Sequence, residues 1–552
     1  MSEPCNIASV LPRMAAERGE QIAMRCPGSR GIDGFARYDL TLSYRDLDRR
    51  SDAIAAGLRM HGIDRGMRTV VMVRPSPEFF LLMFALFKLG AVPVLVDPGI
   101  DKRALKQCLD EAKPGAFIGI PLAHAARIVL RWAKSARIHV TVGVRWLRHG
   151  ATLAQVEVAG AHAGAQLADT AADEIAAILF TSGSTGVPKG VVYRHRHFVA
   201  QIEMLRTAFG IEPSGIDLPT FPPFALFDPA LGLTSIIPDM DPTHPAQANP
   251  KKLLNAIERF GVTQLFGSPA LVEVLARHGA MLPTIERVTS AGAPVPPDVV
   301  TKMRALLTAD AQLWTPYGAT ECLPVAAIEG RELETTRELT ERGAGTCVGR
   351  PVPPNEVRII RVDDAAIVVW SDDLVVAGGL VGEITVVGPT TTDAYFNRDA
   401  VTRLAKIREA LPDGERIVHR MGDLGYFDRD GRLWFCGRKS QRVVTAGTTL
   451  CTEQVEPVFN THPDVRRSAL VGVIQHGVPL PVLCVELHAG IGKNQHARIA
   501  DELRHIADGF VHTAKVDRFL FHPKFPVDIR HNAKIGREKL AVWAAKQPKV
   551  RA

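Results

Sequence analysis

Six apolar residues, Ile175-Ala-Ala-Ile-Leu-Phe180, run directly into Thr181-Ser-Gly-Ser-Thr-Gly-Val-Pro-Lys-Gly190. The apolar run reads as a buried strand. The loop after it is rich in glycine and hydroxyls and carries one lysine. Glycines let backbone N–H groups turn into a concave nest, and hydroxyls add donors without bulk. A strand that ends in such a loop suits a sheet with nucleotide phosphates held at its edge. A flexible linker would account for the glycines but not for the flanking strand and lysine. The G-x-x-x-x-G-K-[ST] spacing of a P-loop is absent.

Strand-like runs alternate with helical patterns along most of the 552 residues. Arg68–Val73, Gly115–Ile120 and Gln264–Gly267 read as strands; Asn255–Phe260 and Leu271–His278 read as helices. The alternation predicts an α/β fold with largely parallel sheets. It implies a large N-terminal α/β domain, β-rich over Val357–Val387, followed by a smaller C-terminal α+β domain. The boundary falls at Gly437-Arg438-Lys439-Ser440, dividing the chain into residues 1–438 and 439–552. Phe79–Val96 is apolar, but Lys88, Gly90 and Pro93 interrupt it, so a buried helix and strand are expected rather than a membrane span.

The net charge of +7 suits anionic substrates, and no motif points to nucleic acid. Eight cysteines without a C-x-x-C pair indicate free thiols, and the first residues lack the pattern of a signal peptide, so a cytoplasmic location is expected. Residues 127–149 gather Arg127, Arg131, Lys134, Arg137, Arg145 and Arg148 around Trp132 and Trp146, which reads as a solvated face with packed tryptophans or, alternatively, as a surface that docks a membrane or a partner.

Four further motifs follow the loop in order: Ser290-Ala-Gly-Ala-Pro294, Tyr317-Gly-Ala-Thr-Glu321, Met421-Gly-Asp-Leu-Gly425 and Asn532-Ala-Lys-Ile-Gly-Arg537. Each alone is weak; their common order is specific. The set resembles the adenylate-forming enzymes, which include acyl-CoA synthetases, peptide-synthetase adenylation domains and luciferases. The resemblance spans about residue 20 to 545 and implies ATP and Mg²⁺ as cofactors. By it, Thr181, Ser182, Gly183, Ser184, Thr185, Gly186 and Lys189 embrace the β- and γ-phosphates. Tyr317 and Gly318 face the adenine beside Gly292, Ala293 and Pro294; Thr320 meets the α-phosphate; Glu321 helps hold the metal. Asp423 accepts from the ribose hydroxyls with Arg438 nearby, and Lys534, with Lys524 and Lys539 as rivals, reaches the carboxylate and α-phosphate. These residue types suit the chemistry, because a carboxylate attacking a phosphate brings two anions together and a cation must neutralise the developing charge.

Departures from the family narrow the reading. Phe221-Pro-Pro-Phe-Ala-Leu-Phe-Asp-Pro-Ala-Leu-Gly232 puts Ala225 where many relatives carry histidine, Ser440 stands at the hinge position, and Thr452-Glu-Gln-Val-Glu456 replaces a Pro-x-Glu pattern. The Phe-Ala-Leu-Phe-Asp-Pro run looks like the β-lactone synthetases of bacterial long-chain olefin biosynthesis. That resemblance implies a long-chain 2-alkyl-3-hydroxy acid as substrate, no need for CoA, and an assembly with other enzymes of the olefin pathway. The alternatives are a long-chain acyl-CoA synthetase, a carrier-loading domain and a nucleotide-binding module without catalysis. Phe221, Phe224 and Phe227 are expected at an acyl pocket. Asp228 before Pro229 reads as a helix N-cap, or as a base for the 3-hydroxyl.

Overall fold

A computed structural model describes residues 4–97, 100–144, 150–181, 188–475, 477–527 and 535–547. A seven-stranded sheet runs in the order Ala151–Thr152, Ile138–Thr141, Ala116–Gly119, Arg68–Met72, Val92–Val96, Ile175–Thr181, Lys189–Arg194. All its pairings are parallel except the last, where Thr181 lies opposite Lys189. Both ends of the glycine-rich loop are therefore pinned at one point of the sheet. The apolar stretch after Phe79 is a helix, Pro77–Leu89, and a strand, Val92–Val96. The helix carries apolar residues all round and is buried accordingly. Its one cation, Lys88, is fully buried and paired with Asp48 and Asp52, each at 2.6 Å. Among the described residues no helix is long and apolar enough to cross a membrane.

A fourteen-stranded sheet joins a parallel half to an antiparallel one. The parallel half sets Ile216–Pro219, Gln264–Gly267, Arg287–Ser290 and Gln312–Ala319 side by side. Ser290-Ala-Gly-Ala-Pro294 and Tyr317-Gly-Ala-Thr-Glu321 emerge from the C-terminal ends of two neighbouring strands, where open α/β sheets place their ligands. The antiparallel half contains Glu356–Ile360, Gly382–Val387, Gly414–Phe427 and Leu433–Arg438, in agreement with the β-rich stretch read from the sequence. Arg438 is the last residue of that sheet. Beyond it Val465–Gln475, Val478–Leu487 and Phe519–Phe521 form a separate three-stranded sheet covered by Thr452–Phe459, His496–Asp508 and Arg537–Ala545. The mixed α/β class with a smaller C-terminal part is as expected.

The eight cysteines are free, and seven are buried. Trp132 is buried, and the Arg127 guanidinium stands 5.7 Å from the Phe117 ring; Arg145, Trp146 and Arg148 lie outside the described residues.

Candidate active site

One cavity of about 1400 Å³ collects the motifs. Thr181, Lys189, Gly292, Ala293, Pro294, Tyr317, Gly318, Thr320, Glu321, Asp423 and Arg438 all line it. Ser182, Gly183, Ser184, Thr185, Gly186 and Lys534 lie outside the described residues. The positions that flank Lys534's segment, Val527 and Ile535, pair with each other as an antiparallel bridge and both line the cavity. Lys539 also lines it; Lys524 does not.

Asp423 sits on the strand Gly414–Phe427, directly opposite Arg438 on Leu433–Arg438. Its side chain is only 4% exposed. Tyr317 donates its hydroxyl to Oδ2 at 2.5 Å. Arg438 Nη1 stands 3.0 Å from Oδ1 as an ion pair, yet among the described residues Oδ1 has no hydrogen-bond partner. Burial pushes the Asp423 carboxyl up, against the pull of Arg438. A buried acceptor left without a donor carries an unmet desolvation cost. Two vicinal hydroxyls at this cavity wall would meet it, so the residues present fit a nucleoside.

Glu321 is held from two sides. Tyr395 donates to Oε1 at 2.6 Å. Thr392 donates both its N–H and its hydroxyl to the Glu321 backbone oxygen, each at 2.9 Å. Thr392 is in turn gripped by Lys406, whose Nζ donates to its carbonyl and, at 3.3 Å, to its hydroxyl. Burial lowers the Lys406 ammonium to about 8, against the attraction of Glu321, Cys322 and Asp393. Lys189 Nζ stands 5.2 Å from the centre of the Tyr395 ring, within cation–π range. Tyr193 donates to the Thr320 carbonyl at 2.5 Å. One Glu321 oxygen is thus held by Tyr395, no described residue donates to the other, and this donor set fits a hard cation such as Mg²⁺ that keeps most of its waters. Tyr395, Thr392, Lys406 and Tyr193 were not singled out from the sequence. Tyr395 lies 74 positions from Glu321, and no spacing links them.

The C-terminal part meets the cavity through a buried pair. Arg537 of the lysine motif bonds Glu456 at 2.6 Å, with side chains 13% and 7% exposed. Its Nη1 also donates to Gln441 at 3.2 Å. Thr452-Glu-Gln-Val-Glu456, unusual in sequence, therefore anchors Arg537 at the end of the lysine motif. Thr346 donates to the half-buried Glu453 at 2.9 Å, tying this helix to the large sheet.

Phe221, Phe224 and Phe227 line the cavity as expected, and Phe224 stacks on Phe266 with ring centres 4.3 Å apart. Ala225 is fully buried behind them and does not line it. Asp228 differs from its N-cap reading. Phe224–Leu226 already forms a 3-10 turn, Phe227 holds helical angles at the cap position, and Asp228 is the first residue inside Asp228–Leu231 with no capping bond. Its carboxyl is buried, bonds Asp217, and accepts the Ser235 hydroxyl. Burial and the neighbouring carboxyl push the Asp217 pKa well up; burial lifts that of Asp228 to about 7.

Thr181 and Lys189, the aromatic wall, Asp423 and Glu321 share one cavity on a two-part α/β fold, and the chain belongs to the AMP-binding enzyme family, which matches residues 12–396. Within that family it is 72% identical over 548 residues to the olefin beta-lactone synthetase of Xanthomonas campestris pv. campestris, covering 99% of both chains. It is 69% identical to the olefin beta-lactone synthetase of Stenotrophomonas maltophilia, covering 100% of both. In fold it is similar to the amide bond synthetase McbA from Marinactinospora thermotolerans, with a TM-score of 0.77 at 23% identity over 97% of this chain and 99% of that one.

Proposed function

We propose that this chain is an ATP- and Mg²⁺-dependent β-lactone synthetase. It converts a 2-alkyl-3-hydroxyalkanoic acid through an acyl-adenylate to a β-lactone, AMP and pyrophosphate, in the cytoplasm and alongside other enzymes of olefin biosynthesis. The observation that carries this reading is full-length identity of 72% to an olefin beta-lactone synthetase. Family membership supports the nucleotide, and the orphaned Asp423 Oδ1 supports a ribose at that wall.

Asp423 accepts from the ribose hydroxyls, Arg438 pairs with its carboxylate, and Tyr317 packs against the adenine beside Gly292-Ala-Pro294. Thr181 and Lys189, with the intervening loop, take the outer phosphates. Bound Mg²⁺ supplies charge neutralisation at the phosphates, with Glu321 as its protein ligand. Lys534 offsets the charge that grows as the substrate carboxylate attacks the α-phosphate and pyrophosphate leaves. The substrate's own 3-hydroxyl then attacks the acyl carbon and AMP leaves, closing a four-membered ring. Nucleophile and electrophile share one molecule, so no second substrate need be captured.

We place the division between the two parts at 438/439, with Ser440 as the hinge. Val527 and Ile535 at the cavity are consistent with the arrangement that forms the adenylate. Supplying a 2-alkyl-3-hydroxy acid with Mg-ATP and no CoA tests the reading: lactone and AMP should form together. A strict requirement for CoA would favour the acyl-CoA synthetase alternative.

A further inference from the structure

The apolar walls of the cavity fall into two separately packed groups. One is built on the helix Pro77–Leu89, whose Phe79, Met83 and Phe87 line the cavity and pack with Val73, Leu95 and Phe198. The other gathers Leu205, Phe209, Ile211, Leu231 and Leu233. The helix His195–Phe209 runs past both, because Phe198, Gln201, Leu205 and Phe209 follow one helical face and all line the cavity. From Phe198 to Phe209 that face extends about 16 Å at 1.5 Å per residue. The seam is aromatic. Phe198 faces Phe87 at 5.9 Å on one side and Phe227 at 6.3 Å on the other.

The second group ends in polar residues. Asp217 and Gln264 lie opposite each other in adjacent parallel strands, with Arg287 next in register. They stand at the N-terminal ends of those strands, whereas Thr220, Ala291 and Gly292 follow the C-terminal ends. Asp217 is three residues before Thr220, so it lies about 10 Å further down the strand. This position, beside Asp217 at the foot of the sheet, also argues against Asp228 as the base for the 3-hydroxyl. A methylene chain pushed against two buried carboxyls, a guanidinium and an amide would strip them of hydrogen-bonding partners without replacing any.

We propose that the two hydrocarbon chains of a branched acid occupy separate arms of this cavity, one along Pro77–Leu89 and one along His195–Phe209, and that the Asp217–Asp228 pair closes the second. A 2-alkyl-3-hydroxy acid carries two chains that diverge beside the carboxylate. A carboxylate at Thr320 sends one chain to either side of the Phe198–Phe227 seam. The arm along Pro77–Leu89 has no charged residue among its named walls, so the two arms set different limits on chain length. This inference rests on the branched-substrate reading of the proposed function.

The test uses pyrophosphate release from single enantiomers of 2-alkyl acids that lack the 3-hydroxyl, in which the chain at each stereochemical position is lengthened independently. Adenylation is then read without lactone formation, so failure of the lactone reading leaves the result interpretable. Leu205→Trp should lower kcat/KM at least tenfold for long chains on one side of the branch and spare the other. Met83→Trp should do the reverse. Replacing the pair as Asp217→Val/Asp228→Leu should extend the accepted length only on the side that Leu205→Trp restricts. Where a tryptophan variant fails to fold, Leu205→Phe and Met83→Phe take its place. Equal loss on both chains in both variants, or no change in either profile, overturns the proposal. So does a wild-type enzyme that adenylates straight-chain acids and rejects every branched one.

Discussion

Tyr317 and Asp423, 106 positions apart, share a 2.5 Å hydrogen bond at the cavity wall, and among the described residues the other carboxylate oxygen of Asp423 has no such partner. The bond fixes the carboxylate and leaves one face for ligand. Asp423→Asn should raise the dissociation constant for ATP by roughly 10- to 100-fold, since hydrogen bonds to charged groups contribute about 1.5–3 kcal/mol. Isothermal titration with a non-hydrolysable ATP analogue measures it. An unchanged constant would place the ribose elsewhere.

The Tyr395–Glu321 bond at 2.6 Å yields a second expectation. Tyr395→Phe keeps the ring beneath Lys189 but frees the carboxylate to swing. The Mg²⁺ concentration for half-maximal pyrophosphate release should rise several-fold, while ATP binding without metal stays near wild type. Lys406→Met should act in the same direction through Thr392. If neither variant alters Mg²⁺ dependence, Glu321 is not the metal's ligand.

Lys534→Ala should reduce adenylation by several orders of magnitude and leave ATP affinity nearly unchanged, because its charge is needed mainly as the phosphate bond breaks. Lys539→Ala is the control, since Lys539 also lines the cavity. Rapid pyrophosphate exchange in Lys534→Ala with slow exchange in Lys539→Ala would transfer the role.

The Asp217–Asp228 pair makes stability depend on pH. An unfolded aspartate loses its proton near 3.8, whereas folded Asp228 holds it to about 7. Between those values the folded state binds more protons, so this group's contribution to stability falls as pH rises. Buried His195 and His197, lowered to about 4 and about 3, work in the opposite sense. Comparing Asp228→Asn with wild type isolates the acid. The variant's relative stability should grow from pH 4 to pH 7 by up to ~4 kcal/mol. Melting temperatures measured across that range check it; a constant difference would mean the pair is not protonated.

The parts of the site that are legible in the sequence are those written as local chemistry. Strand-then-loop at residues 175–190, and the motifs around Tyr317 and Asp423, bring function within a few residues, and the fold brings Thr181, Lys189, Tyr317 and Asp423 to one cavity. What stayed hidden depends on distant pairing. Glu321 is steadied by Tyr395 and Thr392 from an apparently ordinary polar segment, and Glu456 finds Arg537 across 81 positions. Asp228 shows how a local rule loses to its surroundings. Asp-Pro is a common helix start, but the preceding Phe-Ala-Leu had already turned, which left the aspartate inside the helix and beside Asp217.

On the proposed reading, ring closure needs no thiol. Mass spectrometry of a single reaction, containing purified enzyme, Mg-ATP and a 2-alkyl-3-hydroxy acid without CoA, tests it most directly. The product should be lighter than the acid by one water, with one AMP and one pyrophosphate released per molecule. Acyl-adenylate or free acid as the only species, with a new product appearing solely when CoA is added, would contradict it.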